Sequence, residues 1–502
     1  MSFLDSLLAG LSLVANIESF LALGIGVAIG VVGGAIPGMS ATMAVALTLP
    51  FTFAMSPITG ILLLLGVYKG GIFGGSIPAI LIKTPGTPAS SATVLDGYPL
   101  AEQGKAGKAL GMALWASCTA DLISNLALIL FAGWLASFAL NFGPPEFFTL
   151  ILFSLTIIAG VSGNSLLRGA LSALLGLMLA TIGLDLVYGT NRFTFGNPNM
   201  MGGLNFIAVL IGLFAIPEII GMVWNPKAHD GKTRTLGRNW VSFQEYKDSF
   251  KSIVRGSFIG VFMGSIPGIG AAPSAFLSYS EARRKSKNKD NFGKGELEGV
   301  AAAEAGNNGV AGATLIPLLA LGVPGDVITA IIMGAFMIHG LQPGPMMFIL
   351  NVDIIYGLFI GLIVSSVFLF FIGSTAIRGF KYVADIPRGV LFPAVLILCI
   401  YGVYAVNNNL FDVGVMFAMG WVGYMMVRYH IPAAPFLIAF ILGPLLEDNF
   451  RQSMLMSGSS PLILFRGPIT WFFWGLTCIT VIAIIRAGIR ATRGSVISSD
   501  LE

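Results

Sequence analysis

The chain has 502 residues, of which 55% are hydrophobic and only 10% charged, with 64 glycines and a formal net charge of +4. A soluble chain of this length needs far more charge to cover its surface, so an ordinary globular protein is excluded. The small net charge gives no support to nucleic-acid binding. Scattered cysteines (Cys118, Cys399, Cys478) and distant histidines (His229, His339, His430) give neither a disulfide framework nor a metal centre.

Long apolar runs recur along the chain, among them Phe147–Gly160, Leu166–Leu184, Ile207–Val223, Gly357–Ile372 and Trp471–Ile485. Runs near 20 residues are what a helix needs to span about 30 Å of hydrocarbon. They lack the alternation of an outer-membrane barrel, so the fold class is an all-α polytopic membrane protein. The first Lys or Arg is Lys69, so the N-terminus lacks the basic start of a cleaved signal peptide. Residues 1–19 read as an N-terminal amphipathic segment, and about twelve to fourteen hydrophobic segments are expected in all.

Residues 20–224 form the first membrane repeat. It opens on Gly26, Gly30 and Gly34 and closes on Ile36-Pro37-Gly38. A glycine every fourth residue leaves a bare stripe on one helix face, which lets another backbone approach. Pro-Gly then removes an amide donor and opens positive φ, so the helix must break there. After a small-residue run (Gly70, Gly71, Gly74, Gly75, Ser76) comes a second break, Pro78 to Pro85-Gly86, followed by the hydroxyls Thr87, Ser90 and Ser91.

The pattern returns in residues 256–465, the second membrane repeat, after a basic loop at 225–255. Gly256, Gly260 and Gly264 lead to Ile266-Pro267-Gly268, and Gly306, Asn307, Asn308, Gly309 and Gly312 precede Pro317 to Pro324-Gly325 with the same proline spacing. Broken backbone inside a membrane is tolerated only where it is buried in protein or lines a cavity. Duplicated breaks of this kind mark the binding site of a secondary transporter. Residues 466–502 read as a final transmembrane helix and tail.

Basic residues set the orientation, since Lys and Arg in short loops mark the cytoplasmic side. Lys227, Lys232, Arg234, Arg238, Lys247, Lys251 and Arg255 precede the second Gly-Pro-Gly segment, and Arg283, Arg284, Lys285, Lys287, Lys289 and Lys294 follow it. Both blocks stay inside only if residues 256–280 enter and return as a re-entrant hairpin. The first copy has no Lys or Arg in residues 1–24 or in Phe51–Gly60, and so should open to the outer face. The repeats are then inverted, with the C-terminus cytoplasmic and the N-terminus outside. Arg192, Arg451 and Arg466 are exceptions to the charge bias.

The Ile-Pro-Gly repeats, Thr84-Pro-Gly-Thr-Pro88-Ala-Ser-Ser91, Asp96-Gly-Tyr-Pro99 and Gly322-Val-Pro-Gly325-Asp326 closely resemble the large membrane subunit of the tripartite tricarboxylate transporters, the TctA family. The resemblance runs from about residue 20 to 465. It implies a bacterial inner-membrane carrier driven by a cation gradient, working with a small membrane subunit and a periplasmic binding protein. The implied substrates are carboxylates, with citrate the type example. No cofactor is implied beyond Na⁺ or H⁺ as coupling ion.

The breaks carry the candidate residues. Freed amides at half-helix N-termini suit a carboxylate, and freed carbonyls at C-termini suit a cation. For substrate the candidates are Ser40, Thr42, Lys83, Thr84, Thr87, Ser90, Ser91, Gly268, Gly270, Asn307 and Asn308; for cation coupling they are Pro37, Gly38, Pro324, Gly325 and Asp326. Each has a structural alternative. Ser and Thr hydroxyls bond back to their own helices, Lys83 either neutralises a carboxylate or snorkels, the paired asparagines either bind ligand or tie helices together, and Asp326 either completes a cation site or caps the next helix. Glu304, Asp121 and Asp353 read as intramembrane acids, each able to carry a proton but each read as a structural partner rather than as the coupling group. A membrane-embedded enzyme and a passive anion channel are the rival readings; the sequence holds no H-E-x-x-H motif or nucleophile elbow, and no catalytic residue is assigned.

Overall fold

A computed structural model describes residues 3–161, 165–185, 188–224, 240–384 and 388–499. The first half contains α1 (Phe3–Ala15), α2 (Ile17–Ala35), α3 (Ala41–Thr48), α4 (Pro57–Gly74), α5 (Ser76–Ile82), α6 (Ser90–Glu102), α7 (Ala106–Ala139), α8 (Pro144–Val161), α9 (Leu166–Ala180) and α10 (Phe206–Trp224). Between α9 and α10 lies a short antiparallel ladder, β1 (Gly183–Leu184) with β2 (Asn191–Arg192). The second half contains α11 (Phe243–Gly264), α12 (Ala271–Lys285), α13 (Leu297–Ala313), α14 (Leu315–Leu321), α15 (Val327–Ile338), α16 (Met347–Leu350), α17 (Val352–Ala384), α18 (Arg388–Asn407), α19 (Leu410–Arg428), α20 (Ala433–Met456) and α21 (Pro468–Ser499). Among the described residues nine helical spans are long and apolar enough to cross a membrane, and five shorter apolar helices accompany them. The span made by α4 and α5 is buried from Ile58 to Leu81, which places it at the centre of the bundle.

One boundary differs from the sequence reading. Helix α11 begins at Phe243, not at 256, because Ser242 and Glu245 form a reciprocal capping box that satisfies two orphan amides there. Lys247, Lys251 and Arg255 therefore sit on a helix; Lys227, Lys232, Arg234 and Arg238 lie outside the described residues. Two of the charge-bias exceptions are also explained. Arg192 binds Glu447 at 2.7 Å, and Arg451 binds Asp185 at 2.7 Å and Glu447 at 2.6 Å, so both are neutralised by acids beside them.

The glycine stripe of α2 lies directly on α4. A Cβ added at Gly26, Gly30 or Gly34 would fall 2.2, 2.2 and 2.5 Å from the carbonyl oxygens of Leu63, Val67 and Gly71. Gly66, Gly70 and Gly74 of α4 meet the carbonyls of Leu23, Val27 and Val31 in the same way, at 2.6, 2.3 and 2.5 Å. The two backbones are in contact, and no side chain fits between them. The copy in α11 packs on α13 less tightly: at Gly264 the nearest atoms are Ala313 Cβ and Val310 O, both at 3.0 Å. We therefore expect Gly34→Ala to lower the melting temperature of the purified protein well beyond Gly264→Ala, since the first must push backbone from backbone, at a cost above the usual overpacking range of about 1–3 kcal/mol. Equal melting temperatures for the two variants would refute this difference in packing.

Candidate functional site

Each half contributes two non-helical segments. Between α2 and α3, Gly38 takes φ 92°, and Ser40 caps α3 by accepting from the Met43 amide at 3.1 Å. Between α11 and α12, Gly268 and Gly270 take φ 87° and 70°. Helices α5 and α14 both end on a left-handed residue, Lys83 at φ 58° in one and Gly322 at φ 71° in the other. A short loop then leads into α6 or α15. In the first, the Thr87 and Ser90 hydroxyls bond at 2.8 Å; in the second, Asp326 and Thr329 form a capping box in which Asp326 Oδ1 accepts from the Thr329 amide at 2.7 Å. The Gly268 amide donates to Gly325 O at 2.7 Å, tying two of the segments together.

These segments converge on one cavity of 490 Å³, within the range of small-ligand sites. Its polar lining is Ser40, Thr42, Tyr68, Thr87, Asn307 and Asp326, and Gly268 and Gly270 form part of its wall. Among the described residues, no Lys, Arg or His lines it. Of the sequence candidates, Ser40, Thr42, Thr87, Gly268, Gly270, Asn307 and Asp326 are thus brought together.

The others lie outside the lining. Pro37, Gly38, Pro324 and Gly325 shape the breaks without facing the cavity. Ser90 holds Thr87, and Ser91 donates its amide to Pro88 O at 3.3 Å. Thr84 turns its hydroxyl to Ile82 O at 3.4 Å. Lys83 is exposed, with its ammonium 5.5 Å from the centre of the Tyr98 ring. Asn308 points away from the cavity into a buried cluster around Glu304. Ser76 donates to Glu304 Oε1 at 2.6 Å and Thr93 donates to the same oxygen, while Ser117 and Asn308 donate to Oε2 at 3.1 and 3.2 Å. Glu304 is a fully partnered carboxylate joining the two halves.

The register that pairs Pro78 with Pro317 also pairs Tyr68 with Asn307, Lys69 with Asn308 and Thr87 with Asp326. Tyr68 and Asn307 both face the cavity. Lys69 and Asn308 both turn to α7, where Lys69 meets Asp121 at 2.9 Å and Asn125 at 3.0 Å. The halves thus share a plan but differ in chemistry at the site. Tyr68 donates to Asp326 Oδ2 at 2.9 Å, whereas both polar atoms of the Asn307 side chain are buried without a hydrogen-bond partner. An unpaired buried carboxamide costs roughly 1–3 kcal/mol per group, so Asn307 presents an unsatisfied donor and acceptor at the cavity.

Asp96 of the Asp-Gly-Tyr-Pro motif has a structural task. Its Oδ1 accepts from the amides of Gly293, Gly295 and Glu296 at 2.8, 2.9 and 2.9 Å, and its Oδ2 from the Tyr279 hydroxyl at 2.8 Å. It fixes the loop that opens α13, the helix carrying Asn307, with negative charge at a helix N-terminus. Asp353 is exposed in the first turn of α17.

Sequence reasoning passed over Tyr68 and Glu218. Tyr68 was detectable as the register partner of Asn307. Glu218 was detectable as the lone acid in the apolar run Ile207–Val223; its carboxyl faces the side chain and backbone of Ser40.

A helical bundle with this many apolar spans is a multi-pass membrane protein. The chain belongs to the Tripartite tricarboxylate transporter TctA family, which it matches over residues 20–438. It is 35% identical over 474 residues to an uncharacterized 52.8 kDa protein of the TAR-I ttuC′ 3′ region of Agrobacterium vitis, covering 94% of each chain. It is also 35% identical over 241 residues to an uncharacterized protein of the TAR-II ttuC′ 3′ region of the same organism, covering 48% of this chain and 100% of that one. No solved structure matches it.

Proposed function

We propose that this chain is the translocating subunit of a secondary carrier that takes up a di- or tricarboxylate across a bacterial inner membrane. In this reading a periplasmic binding protein delivers the substrate and a small membrane subunit completes the assembly. Two halves inverted in the membrane alternate around the cavity, the first hairpin opening outward and the second inward.

The observation that carries the reading is the cavity itself, where four broken-helix segments from both halves meet around Ser40, Thr87, Asn307 and Asp326. Half-helix amides, hydroxyls and a free carboxamide are donors suited to carboxylate oxygens. Among the described residues the lining offers no basic side chain, and it already contains Asp326. A multiply charged anion entering such a site needs neutralising cations with it, which is the physical reason to expect coupling to a cation gradient.

Uptake into vesicles containing the assembled carrier, with the purified binding protein and defined gradients, tests this. Transport should saturate, collapse when the cation gradient is dissipated and require the binding protein. Non-saturable flux that ignores the gradient would instead indicate a channel. The inversion has its own test: cysteines at the exposed Ser56 and Lys287 should react with an impermeant thiol reagent from opposite sides. Labelling from one side would reject the inverted arrangement.

A further inference from the structure

Helix α10 carries one ionisable residue, Glu218, in the turn after Pro217. Ser40, which the carboxyl faces, is both the cap of α3 and part of the cavity wall. Glu218 Oε2 is buried with no hydrogen-bond partner. Whereas Glu304 has four side-chain donors and Asp121 has Lys69, Glu218 has Ser40 alone to stabilise an ionised state.

Among the described residues, the elements packed on α10 add no charge at this point. Helix α3 has no titratable side chain. On α19, Asp412 is taken by Asn205 and Asn407 at 3.1 and 2.9 Å, the Tyr424 ring meets Trp224, and Arg428 is in the last turn. On α20, Glu447 and Arg451 are paired with each other and with Arg192 and Asp185, and Asp448 adjoins them. Helix α18, after its first residue Arg388, brings Cys399, Tyr401 and Tyr404. None of these acts on the buried Glu218 carboxyl; Ser40 does, through its side chain and backbone. A hard metal cation needs about six oxygen ligands, far more than Glu218 and Ser40 supply, whereas a proton needs only the one unpartnered oxygen.

We propose that Glu218 is the proton-binding group of the carrier and acts on the substrate through Ser40. This rests on the carboxylate-carrier reading above. A proton from the outer solution adds to Oε2, forming a neutral acid, and the Ser40 hydroxyl is then free to turn to the incoming carboxylate. When the cavity faces the cytoplasm, the proton leaves to water and the restored carboxylate reclaims the Ser40 hydroxyl, so the substrate loses that donor and leaves. One proton bound with the substrate makes apparent affinity fall about tenfold per pH unit above the titration of Glu218.

Two measurements test this on the full carrier. In membranes, dicyclohexylcarbodiimide, which attacks protonated carboxyls in apolar surroundings, should label Glu218, less so as pH rises, with Na⁺ giving no protection. In vesicles, Glu218→Gln should have a KM that is flat with pH and should lose accumulation driven by a pH gradient; Ser40→Ala, which keeps the carboxyl, should flatten the pH profile as well. Absence of labelling at every pH, protection by Na⁺, or a wild-type pH profile in either variant would overturn the assignment. If Glu218→Gln does not fold, labelling and the Ser40→Ala profile still decide. A wild-type carrier that moves no carboxylate under any gradient would instead overturn the carrier reading itself.

Discussion

On the proposed reading, Asn307→Ala should weaken substrate binding by about ten- to a hundredfold while the protein still folds, because the side chain has no partner within the protein and its hydrogen bonds would go to the ligand, each worth about 1.5–3 kcal/mol to a charged group. One residue further on, Asn308→Ala should do the reverse. The Asn308 amide donates to Ser117 Oγ at 2.8 Å and to Glu304 Oε2 at 3.2 Å. Its loss strips a buried carboxylate of a donor, so less folded protein is expected, with substrate affinity unaltered in what survives. Substrate affinity and thermal stability measured on both variants separate the two roles. If Asn307→Ala loses stability and keeps its affinity, the carboxamide is a helix tie and the cavity is misassigned.

That pair marks where the sequence stops being informative. The break segments were legible because glycine stripes and Pro-Gly steps act through the backbone, and backbone consequences follow from residue type alone. Facing is different. Asn307 and Asn308 are adjacent in one helix, where Asn308 shares a face with Glu304 four residues earlier, and only packing against α7 decides which asparagine reaches the cavity. The same holds for the two intramembrane lysines. Lys83 stands beside a Pro-Gly break and reads either as a carboxylate partner or as a snorkelling side chain; the fold places it exposed at the left-handed end of α5, where the other half has Gly322. Lys69, buried in the middle of the central helix, cannot be paired from the sequence because its partner Asp121 is on a helix that the sequence gives no reason to place beside it. Glu218 was visible as a lone acid, but its value depends on Ser40, nearly the whole of the first repeat away. Residue types told which chemistry is present, and tertiary packing told which of it meets.

Lys69 supports the second large expectation. Its ammonium bonds Asp121 Oδ2 at 2.9 Å, Asn125 Oδ1 at 3.0 Å and Leu362 O at 3.0 Å, and both members of the ion pair are 1% exposed. These contacts join α4, α7 and α17 at the centre of the bundle. Ser366 adds a hydrogen bond to Asp121 Oδ2 at 2.5 Å, so the carboxylate is positioned from α17 as well. Removing only the cation leaves a buried anion uncompensated, which costs about 3–5 kcal/mol. Lys69→Met should therefore lose most folded protein. Lys69→Met combined with Asp121→Asn should recover much of it, because the neutral pair leaves no stranded charge and the amide still accepts from Ser366. Folded yield and melting temperature in detergent across the cycle give the coupling between the two sites. Full additivity would mean that the pair contributes no mutual stabilisation. Recovery of folding without recovery of transport would give Lys69 a further part in moving α4 against α7, since α4 also carries Tyr68 at the cavity wall, one residue away.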